Sequence, residues 1–308
     1  MYVINGHVID GDRTGAQPVL AAAHAAGTRP RCMCHGADGV DMYIAKVSGR
    51  YLIKRMPGTG STHDPLCSSY APPPEVSGLA HVLGKAVKEQ PGSTRITLGF
   101  PLTHHGRHTT AVADPDGDDI AGDPTKLTLR GLLHLLWDDA GFTRWTPGML
   151  GKRNWATIRK YLLAAAEDKL TNRTPLINRL WVPETFNSDH KPEIIARRTA
   201  TLSRMVGGGS RRLMLTVGEI KTITPTTSGA AVLFKHVPDY PFHLLDAVHA
   251  RFAAGFGAEL VLRANNPGAH LIGIATFGLR DDGEPEIEQI AAMTVNENWI
   301  PFDTPAEQ

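Results

Sequence analysis

The chain carries almost no excess charge of either sign: 32 Lys and Arg stand against 31 Asp and Glu, a formal net charge of +1. No global field draws it to nucleic acid or to anionic lipid, so any such contact must come from a local patch. It also lacks a long uninterrupted apolar run, and its first residues, MYVINGHVIDG, offer neither a basic n-region nor an apolar h-region. The expectation is therefore a cytoplasmic protein with no membrane partner. Cysteine is scarce too. In a reducing compartment thiols seldom pair, and three of them cannot pair completely within one chain. No phosphate-cradling glycine loop or serine-nucleophile elbow is present, since Gly207, Gly208 and Gly209 have neither the lysine nor the strand context of such loops.

What is present is enough apolar sequence for a sizeable core, because 308 residues with 42% hydrophobic content suit two or three compact units. All three cysteines fall in one window, as Cys-x-Cys at Cys32 and Cys34 and as His-x-x-x-Cys at His63 and Cys67. Zinc takes thiolate and imidazole in a closed tetrahedron, and these two pairs supply one. Between them, residues 42–47 and 51–56 read as a β-hairpin that returns the chain to its start, with Met42 or Tyr43, Ile44, Leu52 and Ile53 available for burial. A lone two-stranded hairpin is marginal in water, whereas a structural zinc ion is worth roughly 10 to 16 kcal/mol. A Cys32–Cys34 disulfide is the rival, but so short a loop is strained. His35 competes as a ligand. It adjoins Cys34, however, and adjacent side chains diverge, so the spacing favours His63. Four protein ligands leave no open position, which makes the expected zinc structural.

The organisation reads as α+β: an N-terminal zinc-hairpin unit (1–75), a connecting segment (76–126), a helical region (127–206) and a C-terminal ββαββ unit (207–308). The lead-in is a strand and a short helix stopped by Gly27. Three prolines in 68–75 make a stiff exit, a helix follows over 76–88 and a strand over 95–102, and 103–126 is a polar linker. Leu129, Leu132, Leu133 and Leu136 mark one helical face, and Trp155, Ile158, Leu162 and Ala166 a second. Ile195, Leu202 and Met205 mark a third, after an N-cap at Ser188 or Asp189 and Pro192 in the first turn. Strands are expected at 213–223, 230–237, 271–279 and 287–295, with a helix over 243–262 between the second and third.

Other residues suggest chemistry, each beside a plainer reading. Lys152, Arg153, Arg159 and Lys160, with Trp145 and Trp155 nearby and Arg211 and Arg212 as additions, offer phosphate contacts and base stacking to DNA or RNA. The plainer reading is a solvated helical face over core tryptophans. A helix-turn-helix is excluded by the long gap from Gly141 to Asn154. Glu219 and Lys221 share a strand face and would suit a metal-dependent nuclease, although a surface ion pair explains them as well and no second acid stands out. His104, His105 and His108 with Asp114, Asp116, Asp118 and Asp119 lack the glycine and glutamate placement of a calcium loop and read as a hydrated linker. A protein-interaction scaffold is the remaining alternative.

Several segments carry a family resemblance: the run RCMCHGADGVDMYIAKVSGRYLIKRMPGTGSTHDPLCSSYAPPPEVSGL at 31–79, LTLRGLLHLLWDDAGFTRWTPGMLGKRNW at 127–155, RRLMLTVGEIK at 211–221, VLFKHVPDYPF at 232–242, IATFGL at 274–279 and MTVNENWIPF at 293–302. The chain resembles, over nearly its whole length, the bacterial family filed as domain of unknown function 1173. The resemblance implies no assigned activity. It implies a setting on plasmids and integrated conjugative elements of proteobacteria, and a family Cys and His pattern matching Cys32, Cys34, His63 and Cys67, with no regular histidine at the position of His35. Because relatives tend to continue past a WIPF-like segment, it also implies a C-terminal piece beyond Gln308.

Overall fold

The protein is described from a computed structural model, covering residues 1–9, 14–47, 49–70, 82–103, 123–206 and 212–303. Its contacts separate two units. The first comprises 1–97, 124–127 and 167–176, and the second 98–123, 128–166 and 177–308.

In the first unit β1 (Tyr2–Ile4) and β2 (His7–Ile9) form a hairpin closed by Asn5 and Gly6, both at positive φ, +50° and +78°. Asn-Gly supplies this two-residue turn at least cost because both positions require the left-handed region. Helix α1 (Gln17–Ala25) has Pro18 in its first turn and buries Leu20 and Ala23. The Gln17 amide exchanges two 2.8 Å hydrogen bonds with the Tyr51 backbone, tying the helix to the edge of β5 (Arg50–Arg55). Strands β3 (Arg31–Cys32) and β4 (Val40–Val47) complete a five-stranded antiparallel sheet in the order β2-β1-β3-β4-β5. The expected hairpin is thus present as β4–β5, but it does not stand alone. Three further strands and α1 build a core of Ile4, Leu20, Cys32, Met42, Ile44 and Ile53 around it.

A second sheet runs β6 (Val87–Gln90), β7 (Ser93–Ile96), β8 (Lys169–Thr171) and β9 (Thr174–Pro175), with β7 and β8 parallel. This corrects the helix expected over 76–88. Residues 76–81 lie outside the described residues, and Val87 onward is a strand because Pro91 and Gly92, the latter at φ +85°, turn the chain back onto it. At the head of β8, Asp168 lies 2.6 Å from Lys54 Nζ and 3.3 Å from Nζ of the buried Lys169.

The second unit opens with α2 (Leu129–Asp139), capped by the Thr128 side chain accepting from Gly131 N–H at 3.0 Å and ended before Gly141 at φ +78°. In α3 (Trp155–Glu167) Asn154 accepts from Thr157 N–H at 3.0 Å, and Trp155, Ile158, Leu162 and Ala166 are buried as their spacing predicts. The short strand β10 (Leu180–Trp181) precedes α4 (Lys191–Val206), which buries Ile194 where Ile195 was expected, together with Leu202; the Met205 side chain lies outside the described residues. With β8, β9 and β10 inside it, the 127–206 region is mixed, not purely helical.

The remaining strands are β11 (Met214–Thr226), β12 (Gly229–Phe234), β13 (Phe242–Leu245), β14 (His270–Leu279) and β15 (Pro285–Val295). Helices α5 (Asp246–Gly255) and α6 (Gly257–Asn265) lie between β13 and β14. The order is therefore βββααββ where ββαββ was expected. Phe242 and Leu244 alternate inward as a strand before Asp246 opens the helix, an alternation that a helical period over 243–262 hides. Strand β11 is long enough to pair with β14 through its first half (Met214↔Phe277 to Glu219↔Ile272) and with β12 through its second (Ile220↔Phe234 to Thr226↔Gly229). Since β12 pairs with β13, β13 runs parallel to β15 and β15 pairs with β14, the five strands close into a barrel. Glycine makes room inside it. A Cβ on Gly218 would lie 2.6 Å from Phe234 Cδ1, and one on Gly273 would lie 2.7 Å from Ile220 Cδ1.

Candidate metal centre

Cys32 ends β3, and its register against Tyr2 on one side and Val40 on the other fixes its buried place in the sheet. The chain then turns through a 3-10 stretch, Met33–Asp38, that brings Cys34 round on the same side. Gly39 is required here: its φ is +34°, and a Cβ would lie 3.1 Å from the Cys32 carbonyl oxygen. The β4–β5 hairpin returns the chain. A second 3-10 turn, Gly60–Thr62, delivers His63. Asp64 folds the next residues back, its carboxylate accepting from Leu66 N–H and its carbonyl from Cys67 N–H, each at 2.8 Å, so that Cys67 returns to His63.

Ligand atoms of Cys32, Cys34, His63 and Cys67 all lie within 4.8 Å of one another. Cys32 Sγ is 3.6 Å from Cys67 Sγ, and His63 Nδ1 is 3.5 Å from Cys34 Sγ and 3.9 Å from Cys67 Sγ. A tetrahedral ion with metal–sulfur bonds of about 2.3 Å and metal–nitrogen bonds of about 2.0 Å has edges of about 3.8 Å and about 3.5 Å, so the donor set fits a metal ion. All three cysteines are free thiols, and the sulfurs of Cys32 and Cys67 stand well beyond the disulfide bond length of about 2.05 Å. His35 is exposed, with Nε2 2.9 Å from the Thr62 carbonyl oxygen, and is not one of the four.

The electrostatics match the geometry. Burial pushes the Cys32 thiol up to about 12, against the lowering effect of the Cys34 N–H. A cation among the sulfurs is what would hold such a group as thiolate. Cys67 is lowered: burial pushes it up, but the N–H of Ser69, 3.4 Å from its sulfur, and the neighbouring thiols outweigh that. In both cases the backbone N–H two residues on addresses the sulfur, a local device for stabilising sulfur charge. Burial first, then Arg55 and His35, lowers His63, which keeps it in the neutral form that coordinates a metal.

Glu219 is buried on the outer side of the barrel wall, as its pairing with Ile272 places it, and the bulge after Ile220 leaves Lys221 exposed. Its partners are Lys235 Nζ and His270 Nδ1, both 2.9 Å from Oε1, while Oε2 is buried without a hydrogen bond. Burial pushes the carboxyl up, but these two hydrogen bonds hold it below its ordinary value. The Trp299 ring stacks on His270 at 4.2 Å, and Trp155 stacks on His236 at 5.1 Å. Among the described residues, no group of three or more His, Cys, Asp and Glu ligands converges around Glu219.

Lys152 is exposed. The Arg153 guanidinium donates to the carbonyls of Phe142, Gly141, Arg144 and Asn298 and so clamps two loops. Arg159 donates Nε to the Val182 carbonyl at 3.0 Å and lines a cavity of about 430 Å³ together with Arg197, Arg198 and His236. Arg212 is exposed near Arg179, whose guanidinium is lowered by burial and by that neighbouring charge. Arg211, and the histidines and aspartates of 104–119, lie outside the described residues. The sequence reading missed Lys235 and His270 as partners of Glu219, and missed Arg197, Arg198 and His236 altogether. A basic-residue scan flags the arginines singly, and only their tertiary neighbours show them to be one group.

Fold and donor set together define an α+β protein with a candidate Cys₃His metal centre and a closed β-barrel. A family model described as "Protein of unknown function (DUF1173)" matches residues 2–308, and the chain belongs to that family. No curated protein and no solved structure matches it. Among the described residues, no helix is long and apolar enough to cross a membrane.

Proposed function

We propose that this chain is a zinc-stabilised accessory protein that contacts single-stranded nucleic acid through its C-terminal barrel. Zinc suits the metal centre because three sulfurs and an imidazole are the soft-to-borderline donors it takes, whereas magnesium and calcium take oxygen. Four protein donors leave no place for a reacting water, so the ion holds the first unit together and performs no hydrolysis.

The nucleic-acid part rests on the strand order. A five-stranded barrel whose third and fifth strands run parallel, with helix between the third and fourth, has the connectivity of the Greek-key barrels that bind oligonucleotides and oligosaccharides. This is an analogy of architecture, which supports a partner class and not a sequence preference. On the outer face of β11–β13, register places Thr222 beside Leu233 and Thr224 beside Ala231 and His243, with exposed Lys221 at one end. Small uncharged side chains let a strand approach, and one or two lysines supply only modest phosphate attraction. The expected binding is weak with a shallow salt dependence.

Fluorescence anisotropy with labelled single-stranded and duplex oligonucleotides at low salt tests this. Single strands bind better, and Lys221→Gln flattens the plot of log affinity against log salt by about 0.7, the value for one phosphate contact. Lys152→Gln, in the same assay, reads the α3 patch. Absence of binding at low salt, or an unchanged slope in both variants, refutes the nucleic-acid reading. A mobile-element setting rests on the family resemblance alone.

A further inference from the structure

Beside the barrel, α3, the β10 segment and α4 enclose the cavity of about 430 Å³, within the range of small-molecule sites. Its walls are largely apolar, including Leu163, Trp181 and Ile194, and three of its six polar side chains, Arg159, Arg197 and Arg198, are cations, beside one carboxylate, Glu184. Two of the arginines are held by carboxylates, one of which, Glu184, itself lines the cavity. Arg197 gives Nε and Nη2 to Glu184 at 2.9 and 2.8 Å, and Arg198 gives Nη1 and Nη2 to Asp239 at 3.0 and 3.2 Å. Each fork fixes a guanidinium and leaves donors over, Nη1 on Arg197 and Nε on Arg198. Arg159 commits only its Nε, to the Val182 carbonyl, and its Nη groups make no hydrogen bond among the described residues. With Arg197 and Arg198 paired to carboxylates, Arg159 leaves the site with a net positive charge.

His236 adds a neutral donor. Its Nδ1 accepts from Phe186 N–H at 3.4 Å, so the ring proton belongs on Nε2, and burial holds the imidazole at about 4, uncharged at neutral pH. The uncommitted N–H groups outnumber what the two oxygens of a carboxylate can accept; the terminal oxygens of a phosphate match them better. Trp181, seated on Phe242 on its barrel side at 6.3 Å, gives the cavity an aromatic wall.

We infer that this cavity binds a phosphate monoester carrying a planar ring, of which a nucleoside 5′-monophosphate is the simplest form, with Arg159 as the principal phosphate contact and Trp181 beside the ring. The inference does not depend on strand binding by the barrel face. Isothermal titration of the full chain with the four common ribonucleoside monophosphates tests it, with the nucleosides and inorganic phosphate as comparison probes. At least one monophosphate should bind saturably, about tenfold or more tighter than its nucleoside or inorganic phosphate. Removing a charged hydrogen-bond donor in Arg159→Gln should weaken it by about tenfold or more. Ala200→Glu, at an exposed position of α4 that lines the cavity, adds a repelling carboxylate without touching the core and should do the same. Should Arg159→Gln lower the unfolding temperature, Ala200→Glu decides. No saturable binding up to millimolar ligand, a nucleoside as tight as its monophosphate, or an affinity indifferent to Ala200→Glu overturns the inference.

Discussion

Cys67→Ser is the sharpest perturbation of the candidate metal centre, because Cys67 is half-buried whereas Cys32 belongs to the hydrophobic core, where its loss would confound metal loss with a packing defect. The substitution keeps size and removes the sulfur that stands 3.6 Å from Cys32 Sγ and 3.9 Å from His63 Nδ1. A structural zinc site is worth roughly 10 to 16 kcal/mol, so one ligand of four accounts for roughly 2.5 to 4 kcal/mol. In a unit on the order of a hundred residues, each kcal/mol shifts the melting temperature by about 4 to 8 °C, which puts the expected drop at about 10 to 30 °C. Elemental analysis of protein purified under reducing conditions should find one zinc per chain in the wild type and far less in the variant. Calorimetry should show the loss confined to the transition of the first unit, and a strong chelator, which removes the whole ion, should lower that transition further still. Leu66→Ser, next in sequence and 96% exposed, is the control and should change neither reading. A wild-type chain without metal, or a Cys67→Ser variant with full metal and unchanged melting, would refute the tetrahedron.

Three further outcomes follow from other parts of the chain. Asp168→Asn removes the carboxylate that Lys54 and the buried Lys169 share and should cost about 3 to 5 kcal/mol at neutral pH in urea unfolding. Burial pushes the Asp168 carboxyl up, but Lys169 and Lys54 hold it below 3.8. Its contribution is therefore complete above that value and disappears as pH falls through the lower folded-state value, and the gap between wild type and variant should close there; a gap constant down to acid unfolding contradicts the ion pairing. Gly218→Ala drives a methyl against the Phe234 ring and should cost about 1 to 3 kcal/mol, while Gly278→Ala, whose nearest neighbour is 3.4 Å away, costs little. Equal urea midpoints for the two would show that the barrel interior has slack. Arg153→Gln strips a charged donor from four carbonyls and should lose about 2 to 3 kcal/mol, whereas Lys152→Gln should stay within about 0.5 kcal/mol of wild type; the reverse order would mean that Arg153 is a surface cation.

The convergence of Cys32, Cys34, His63 and Cys67 was legible in the sequence because the information is local: both pairs flank one hairpin, and strand return needs no distant partner. The faces of α2 and α3 were legible for the same reason, their periods being intact from Leu129 to Leu136 and from Trp155 to Ala166. The Asn5–Gly6 turn carried an equally local signal that a search for longer alternating runs passes over. By contrast, nothing near Lys169–Thr171 reveals that its partner is Ser93–Ile96, and a three-residue strand has too few alternations to register. Phe242–Leu245 was hidden in the opposite way, because four apolar-rich residues that directly precede a helix satisfy its period as readily as a strand's.

Glu219 shows where local rules stop. Two-residue spacing on a strand put Lys221 on its face, and that inference is sound for an unbroken ladder. The ladder breaks after Ile220, where β11 leaves β14 and takes β12 as its partner, and the bulge inserted there releases Lys221 to solvent. A carboxylate at the same turning point becomes buried and must find its hydrogen bonds across strands, which it does in Lys235 from β12's end and His270 from β14's start. The bend that lets one strand serve both halves of the barrel is therefore also what removes the predicted ion pair and replaces it with one that only closure can assemble.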